Sequence, residues 1–257
     1  MNKTKIDWCD YSWNPVVGCK NHVNCRYCYG VNIANRFYNP DFNGFHRLAN
    51  GSLKILDKPL YDSKGNYIAF PWCYEPTFHC YRLDQPQKLK KPANIFVCSM
   101  ADLFGDWVPD EWIEQVFEAC RKAPQHNYLF LTKNPDKMGE SVIKFGKSKN
   151  WWFGQTIDKM CNFTTALDFA ENVFTSYEPL LSEMPYDYHY GFEHQNWLIF
   201  GALTKKGKPV EKPYWDWIKD LVMEATDRQI PIFMKQSLKG FVPEDYFVQQ
   251  YPEGLKK

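Results

Sequence analysis

From residue 94 onward, short apolar runs alternate with amphipathic segments, and this alternation limits the fold more than any other feature. The apolar runs cover 94–98, 128–131, 151–154, 172–177, 197–200 and 231–234. Continuous apolar runs are typical of strands buried on both faces of a parallel sheet. Because helical segments separate them, the strands are expected to form right-handed βαβ units. With a first strand at 13–17 there are about seven strands, which favours an α/β fold of partial (β/α) TIM-like barrel type over a doubly wound sheet.

The spacing of apolar residues and of glycine and proline divides the chain into three parts. Helices are predicted at 31–37, 110–120, 135–143, 163–169 and 213–226. Residues 1–39 hold the first strand, a cysteine-rich loop and the first helix. Residues 40–93 are irregular and rich in glycine and proline, so we expect an inserted cap or subdomain with a hairpin near Gly65. Residues 94–257 then complete the barrel.

Composition excludes several classes of protein. Aromatic residues make up 18% of the 257 residues, which is too much apolar surface for a disordered chain. The net charge of +1 gives no overall field that would attract nucleic acid or an anionic membrane. The first residues lack the apolar core of a signal peptide and no apolar run reaches membrane-spanning length, so we expect neither a signal peptide nor a membrane span. We therefore expect a cytoplasmic protein without a membrane partner, in which the cysteines stay reduced.

Three cysteines lie close together near the N-terminus, in the spacing C-x5-C-x2-C. They are Cys19, Cys25 and Cys28. Thiolates at such spacing select zinc, copper(I) or an iron–sulfur cluster. A closed structural zinc site needs four protein ligands, and a four-iron cluster is normally held by four cysteines. Three ligands therefore predict a metal centre with one open position, although burial of one or two of these cysteines as small apolar residues is the alternative.

Polar side chains follow the predicted strands, where ligands bind in parallel α/β proteins. They are Ser99, Asp102, Thr132, Lys133, Gln155, Thr156, Glu178, Lys235 and Gln236. Strand ends that emerge into water are polar in any case, so each residue alone is a weak signal. Glu178 and Lys133 are stronger, because each follows a strand expected to be buried and an unpaired charge is expensive there. The cysteine loop follows the first strand and should lie on the same rim.

Several segments closely resemble a phage- and bacteria-borne family, the phage three-cysteine-motif family, a domain of unknown function grouped with the radical S-adenosylmethionine (SAM) enzymes. The resemblance covers nearly the whole chain and is weakest at 38–78. Its segments are WNPVVGC at 13–19, CRYCY at 25–29, FVCSMADLF at 96–104, LTKNP at 131–135, SYEPL at 176–180 and FMKQ at 233–236. The first cysteine gap is longer than the commonest superfamily spacing, and Ser99-Met100-Ala101-Asp102 replaces the usual glycine-rich motif.

The resemblance implies a cofactor set and residue roles. Cys19, Cys25 and Cys28 would hold a [4Fe-4S] cluster whose open iron binds SAM, and electron transfer would cleave SAM to a 5′-deoxyadenosyl radical that abstracts hydrogen. Tyr27 would lie near the adenine, a role that aromatic rings suit because they stack on bases. The cofactor-binding residues would further include Ser99, Asp102, Gln155 and Glu178. The predicted catalytic residues are Cys98, Lys133 and Lys235.

Two functional hypotheses follow. The first is a radical SAM enzyme acting on a small molecule, nucleobase, nucleotide or nucleic-acid lesion, with an external electron donor and with the need for a partner protein left open. Cys73 or Cys80 could replace Cys98 as hydrogen donor, although a core or surface position is the simpler interpretation of each. Stacking surfaces could come from Trp72, Tyr74, Trp151 and Trp152, for which a core position is again simpler. The second hypothesis is a non-catalytic zinc-binding module in which His22 or Cys9 supplies a fourth ligand.

Overall fold

The computed structural model describes residues 1–23, 25, 27–37, 53–158, 167–183, 192, 194–205, 208–210 and 212–255. The helices are α1 Tyr29–Phe37, α2 Gln85–Lys88, α3 Asp110–Arg121, α4 Pro135–Phe145 and α5 Lys219–Asp227. The strands are β1 Asn2–Lys3, β2 Tyr11–Trp13, β3 Val16–Val17, β4 Lys54–Leu56, β5 Thr77–His79, β6 Asn94–Val97, β7 Asn127–Thr132, β8 Trp151–Ile157, β9 Val173–Leu180, β10 Trp197–Ala202, β11 Thr204–Lys205, β12 Lys208–Pro209 and β13 Ile232–Met234. None of the described helices has the length and apolar character that crossing a bilayer requires.

One large sheet organises the chain. Its eight strands lie in the order β1-β2-β6-β7-β8-β9-β10-β13, and every pair from β2 onward is parallel. The parallel strands therefore follow one another in chain order, without the reversal of order that marks a doubly wound sheet. This confirms the predicted α/β class with a mostly parallel sheet. Within the described ranges, no hydrogen-bonded ladder joins β13 back to β1 or β2, so these residues do not show a closed barrel.

The sheet is strongly curved, and the side chain of Trp8 shows this. Its ring centroid lies 4.8 Å from that of Phe96 on β6 and 6.2 Å from that of Trp197 on β10. On a flat sheet these strands would be four spacings, or about 19 Å, apart. One indole ring could not contact both. The concave face therefore wraps around Trp8, and Gln236, just after β13, donates its backbone N–H to Asp7 Oδ2 at 2.9 Å.

The convex face carries the helices and most of the apolar core. Phe117 of α3 packs against Phe130 of β7 and Trp151 of β8, with ring centroids 5.3 and 4.8 Å away. Farther along the sheet, α5 covers β10 and β13 through Leu221 and Val222. Because both faces are covered, the strand sequences are apolar throughout rather than alternating.

Asparagine recurs at the beginning of successive parallel strands. The residues are Asn94, Asn127, Asn150, Asn172 and Asn196. Asn127 Nδ2 donates to Asn94 Oδ1 at 2.9 Å, and Asn172 Nδ2 donates to the carbonyl of Lys149 at 2.7 Å. Asn196 Oδ1 accepts the backbone N–H of Val173 at 2.8 Å. These amides link neighbouring strand starts and satisfy backbone groups at the amino end of the sheet.

The described part of the predicted insertion, 53–93, packs beside the cysteine loop. It supplies β4 and β5, which form a three-stranded sheet with β3 in the order β3-β5-β4. The predicted hairpin is confirmed, since Tyr61 and Tyr67 form an antiparallel bridge around Gly65. The rest of the insertion, 40–52, lies outside the described residues. A role for the segment as a cap stays a prediction.

Some predicted boundaries are wrong. The strand expected at 13–17 is split, because Asn14-Pro15 ends β2 and Val16–Val17 joins the small sheet instead. Four strands run past their predicted ends, to Thr132, Ile157, Leu180 and Ala202. The last helix begins at Lys219, after a short 3-10 turn at Trp215–Trp217. The helix expected at 163–169 falls largely outside the described residues.

A buried histidine in the small sheet should make stability depend on pH. His79 is 0% exposed, and within the described part of the chain its Nε2 has no hydrogen-bond partner. Burial, aided by the nearby Arg82 charge, lowers its pKa from 6.5 to about 3. Between pH 6.5 and about pH 3, His79 therefore binds a proton in the unfolded chain but not in the folded protein. The free energy of unfolding falls as the pH drops through this range. We expect the free energy of unfolding to fall by about 2 kcal/mol between pH 7 and pH 5 on account of this residue.

Urea denaturation of the wild type and of His79→Gln at both pH values would measure this contribution. Glutamine does not titrate, so the variant should lose less stability on acidification. Equal losses in the two proteins would contradict the assignment.

Candidate functional site

A cavity of about 410 Å³ opens at the carboxyl ends of the parallel strands. Cys19, Cys25 and Cys28 line it together with residues on β6, β7, β8, β9 and β10 and with Lys235, which follows β13. Its polar walls include Ser99, Asp102, Thr132, Lys133, Thr156, Ser176, Glu178 and Lys235, and its apolar walls include Ile6, Trp8, Phe96 and Leu131. The structure therefore brings the cysteine loop and the polar strand ends into one site. The volume lies in the range of small-molecule and cofactor pockets.

Backbone contacts hold the cysteine loop in place. Gly18 donates its N–H to the carbonyl of Met100 at 2.9 Å, and Cys19 donates to the carbonyl of Tyr74 at 3.1 Å. Gly18 has a φ of +88°, and a Cβ built on it would lie 2.3 Å from the carbonyl oxygen of Glu75. Both the conformation and the close approach require glycine at this position. The glycine before Cys19 is thus explained by how the loop enters the site.

None of the three loop thiols is in a disulfide. Burial raises the pKa of Cys19 to about 12, opposed by an N–H···S hydrogen bond from Asn21 at 3.3 Å. Burial also raises the pKa of Cys25, opposed by the positive charge of Lys133. Since metal ligands must be thiolates, metal binding here would release protons.

The described His, Cys, Asp and Glu side chains include no group of three or more placed around a single metal ion. A four-iron cluster makes a different demand, because its three thiolate ligands bind three separate iron atoms. Three cysteines lining one cavity match that donor chemistry better than they match a closed zinc site, which needs a fourth ligand. For the zinc alternative, Cys9 is 2% exposed and packs in the apolar cluster of the concave face, while the His22 side chain lies outside the described residues.

Tyr27, between two of the cysteines, links the loop to the ends of β7 and β8. Its hydroxyl donates to Asp158 Oδ2, and the same oxygen receives Lys133 Nζ in an ion pair. The Asp158 side chain is 4% exposed and that of Lys133 is 19% exposed, so water screens the pair little. The Lys133 ammonium also lies 5.8 Å from the centre of the Tyr27 ring. The loop position is thereby tied to a buried charge pair.

Asp102 and Ser99 line the cavity but are engaged within the protein. Asp102 Oδ1 accepts from Thr132 Oγ1 at 2.6 Å and from the N–H of Phe104 at 3.1 Å, while Oδ2 accepts the N–H of Lys133 at 2.9 Å. Burial raises the pKa of Asp102, and these hydrogen bonds oppose the shift. Ser99 Oγ donates to Asn14 Oδ1 at 3.2 Å. Both residues organise the loop after β6 as well as facing the cavity.

Glu178 and Lys235 form a second ion pair on the cavity wall, with side chains 28% and 20% exposed. They come from β9 and from the end of β13, on either side of β10. Gly201 of β10 lies between them, and a Cβ built there would be 2.8 Å from Glu178 Cδ and 2.9 Å from Lys235 Cδ. The pair therefore meets over a glycine that leaves room for it.

Several predicted residues are not brought into the cavity. Gln155 is 1% exposed and its Nε2 donates to Thr175 Oγ1 at 3.4 Å. It points to the convex face because β8 continues to Ile157, so strand alternation turns Thr156 inward instead. Cys98 is 2% exposed in the convex-face core, where burial raises its pKa to about 12. Cys73 and Cys80 also lie outside the cavity lining.

The four aromatic residues considered for base stacking are all buried. Trp72, Tyr74, Trp151 and Trp152 are 7%, 8%, 1% and 4% exposed, which fits the core interpretation. Of these, Tyr74 also lines the cavity, and its hydroxyl lies 3.8 Å from Cys28 Sγ.

Sequence reasoning missed two polar residues at this site. Asp158 follows β8, and Ser176 lies within β9. Ser176 was inside the strand predicted at 172–177, whereas Asp158 comes into phase only when β8 is extended to Ile157. Alternation then turns both toward the concave face, on the same side as Thr156 and Glu178. The signal was therefore present, and only for Asp158 did it depend on strand length.

Replacing Tyr27 by phenylalanine should loosen the cysteine loop. The change removes the hydroxyl that donates to the buried Asp158 carboxylate, while Lys133 still neutralises the charge. We expect a loss of about 1–2 kcal/mol in the free energy of unfolding, and faster alkylation of Cys25 in metal-free protein. Tyr61→Phe is the control, since Tyr61 is 59% exposed and no described residue is hydrogen-bonded to its hydroxyl. Equal alkylation rates in both variants would show that the hydroxyl does not hold the loop.

Comparison with known proteins yields one match. A family model described as "Protein of unknown function (DUF5131)" covers residues 3–248. No curated protein and no solved structure matches the chain. A domain of unknown function covering nearly the whole chain is thus shown, whereas the expected phage link and radical SAM relationship stay predictions.

Proposed function

The chain belongs to the DUF5131 family, and we propose that it is a radical SAM-type enzyme that holds a [4Fe-4S] cluster on Cys19, Cys25 and Cys28. The supporting observation is that all three thiols line one cavity of about 410 Å³, which is also lined by polar groups from the strand ends. A site that leaves one metal position open needs space for a ligand beside the cysteines. The cavity supplies that space.

When bound, the cluster and SAM would supply reductive cleavage of SAM and hydrogen abstraction from a substrate. The protein's own residues have more limited tasks. Gly18 and the backbone of residues 74–75 fix where the cysteine loop enters the site. Tyr27 holds the loop against Asp158 and Lys133. Ser99, Asp102 and Glu178 face the space where SAM would lie, and Lys133 and Lys235 provide the positive charges of the cavity lining.

The fold supports the same proposal at a coarser level. A curved, mostly parallel sheet with its strands in chain order is what an open or partial (β/α) barrel requires. Tyr74, from the described part of the insertion, forms part of the cavity wall. A reactive carbon radical must be kept from water, and the apolar residues Trp8, Phe96 and Leu131 on the inner wall favour its exclusion.

The substrate, electron donor and location are the less specific parts of the proposal. A small molecule or a nucleotide suits the cavity size, and the net charge of +1 disfavours an extended nucleic-acid footprint. A one-electron donor from outside the chain is needed, and we place the enzyme in the cytoplasm, where thiols stay reduced.

Anaerobic purification tests the metal assignment directly. We expect brown protein with broad visible absorbance, containing iron and acid-labile sulfide in equal amounts. Colourless protein that retains zinc would instead support the zinc-binding module. Protein that holds neither metal after anaerobic reconstitution with iron and sulfide would overturn the proposal.

A further inference from the structure

Three neighbouring strands place Glu178, Gly201 and Lys235 in one row across the concave face. Phe200 of β10 is paired with Tyr177 of β9 and with Met234 of β13. The next residue of each strand is therefore Glu178, Gly201 and Lys235, with the glycine in the centre. The ion pair bridges the glycine and faces the cavity.

The ion pair has hydrogen-bonding capacity that the described residues leave unused. Lys235 Nζ donates to Glu178 Oε1, and none of the described residues is a further acceptor for this ammonium or a donor to Glu178 Oε2. An ammonium carries three donors and a carboxylate accepts at both oxygens. A ligand in the cavity can therefore accept from one member of the pair and donate to the other without separating them.

Ser176 is an independent sign of a ligand site at this position. It lies two residues before Glu178 on β9, so both side chains point to the same face. It is 1% exposed and lines the cavity, and its Oγ has no hydrogen-bond partner among the described residues. Buried hydroxyl groups are normally paired, so this one calls for a partner from outside the chain.

We propose that Ser176, Glu178 and Lys235 form a subsite for the vicinal diol of a ribonucleoside. Each of two adjacent hydroxyl groups can donate and accept a hydrogen bond. This matches the Glu178 carboxylate as acceptor, the Lys235 ammonium as donor and the Ser176 hydroxyl as either. The pair is already neutral, so it favours an uncharged group over a phosphate. The apolar wall of Ile6, Trp8 and Phe96 offers a surface for the base. The nucleoside identity rests on the proposed function, in which both SAM and the suggested substrates carry nucleosides.

Ligand-observed NMR titrations with adenosine and 2′-deoxyadenosine test the subsite without any cofactor. We expect adenosine to bind about tenfold more tightly, because the deoxy compound leaves one protein group unpaired. In Ser176→Ala this preference should shrink toward one, while the melting temperature is unchanged or raised because an unpaired buried hydroxyl is removed. Ser141→Ala is the matched control, since that serine is buried in α4 and its Oγ donates to the Lys137 carbonyl outside the cavity.

The diol could belong to SAM or to a nucleoside substrate, and competition between adenosine and S-adenosylhomocysteine distinguishes the two. Mutual exclusion assigns the subsite to SAM, and simultaneous binding assigns it to a nucleoside substrate; either result supports the subsite. Equal binding of adenosine and 2′-deoxyadenosine would overturn the diol assignment. It would also be overturned if free methionine binds, adenosine does not, and Ser176→Ala weakens the binding of methionine. Because these titrations need no iron, a protein that binds adenosine but no cluster would refute the proposed function and leave the subsite standing.

Discussion

Cys25→Ala is expected to lose most of the iron and the visible absorbance of the anaerobically prepared protein. A cluster held by three cysteines has no spare protein ligand within the loop, so removal of one thiolate leaves two irons without protein ligands. Cys25 lines the cavity and its neighbour Tyr27 is held by Asp158, so the loop itself should remain in place. We expect iron content to fall more than tenfold after gel filtration, because metal binding at such a site depends on each ligand.

Cys80→Ala is the matched control for this loss. Cys80 is also a partly exposed free cysteine, but it packs at the edge of the convex-face core and does not line the cavity. Its replacement should leave iron content and absorbance unchanged. If the two variants retain equal iron, Cys25 is not a ligand.

Trp8→Ala should produce the largest loss of stability that we predict. Trp8 is 2% exposed and packs against Phe96, Phe174 and Trp197, which come from β6, β9 and β10. The truncation would leave a large hole in the centre of the concave face, which typically costs about 3–5 kcal/mol in the free energy of unfolding. The cavity beside it should also lose its shape, since Trp8 forms part of its wall.

Urea denaturation would measure this loss, with Ile143→Ala as the control. Ile143 lies on α4 and is 80% exposed, so its truncation should change stability by less than about 0.5 kcal/mol. If Trp8→Ala lowers the free energy of unfolding by less than about 1 kcal/mol, the concave face of the sheet does not pack around this residue.

The strands of the large sheet were predictable because they are continuous apolar runs. Tyr128–Phe130 and Trp197–Phe200 have few polar residues to confuse the pattern, since both of their faces are covered. The ends of the strands were less predictable. Thr156 and Glu178 look like loop residues in the sequence, but they lie in strands whose concave face becomes polar as it reaches the cavity. Curvature of the sheet, which is a tertiary property, creates that polar surface.

The sequence predicted several of the charged residues that line the site, but not how they form ion pairs. The sequence placed Lys133, Glu178 and Lys235 at strand ends, and the structure brings them to the same cavity. It did not indicate that Asp158 would neutralise Lys133 or that Gly201 would make room for the second ion pair. Both contacts join residues that are far apart in sequence. They meet only because of the register in which their strands pair. Gln155 was misplaced for the simpler reason that one extra residue of strand reverses the direction of a side chain.

The most direct test of the proposed chemistry is reduction of the reconstituted protein with dithionite in the presence of SAM, followed by chromatography for 5′-deoxyadenosine. The proposal predicts 5′-deoxyadenosine and methionine in equal amounts from the wild type and Cys80→Ala, and neither product from Cys25→Ala. Absence of 5′-deoxyadenosine from wild-type protein that contains an intact, reducible cluster would contradict it.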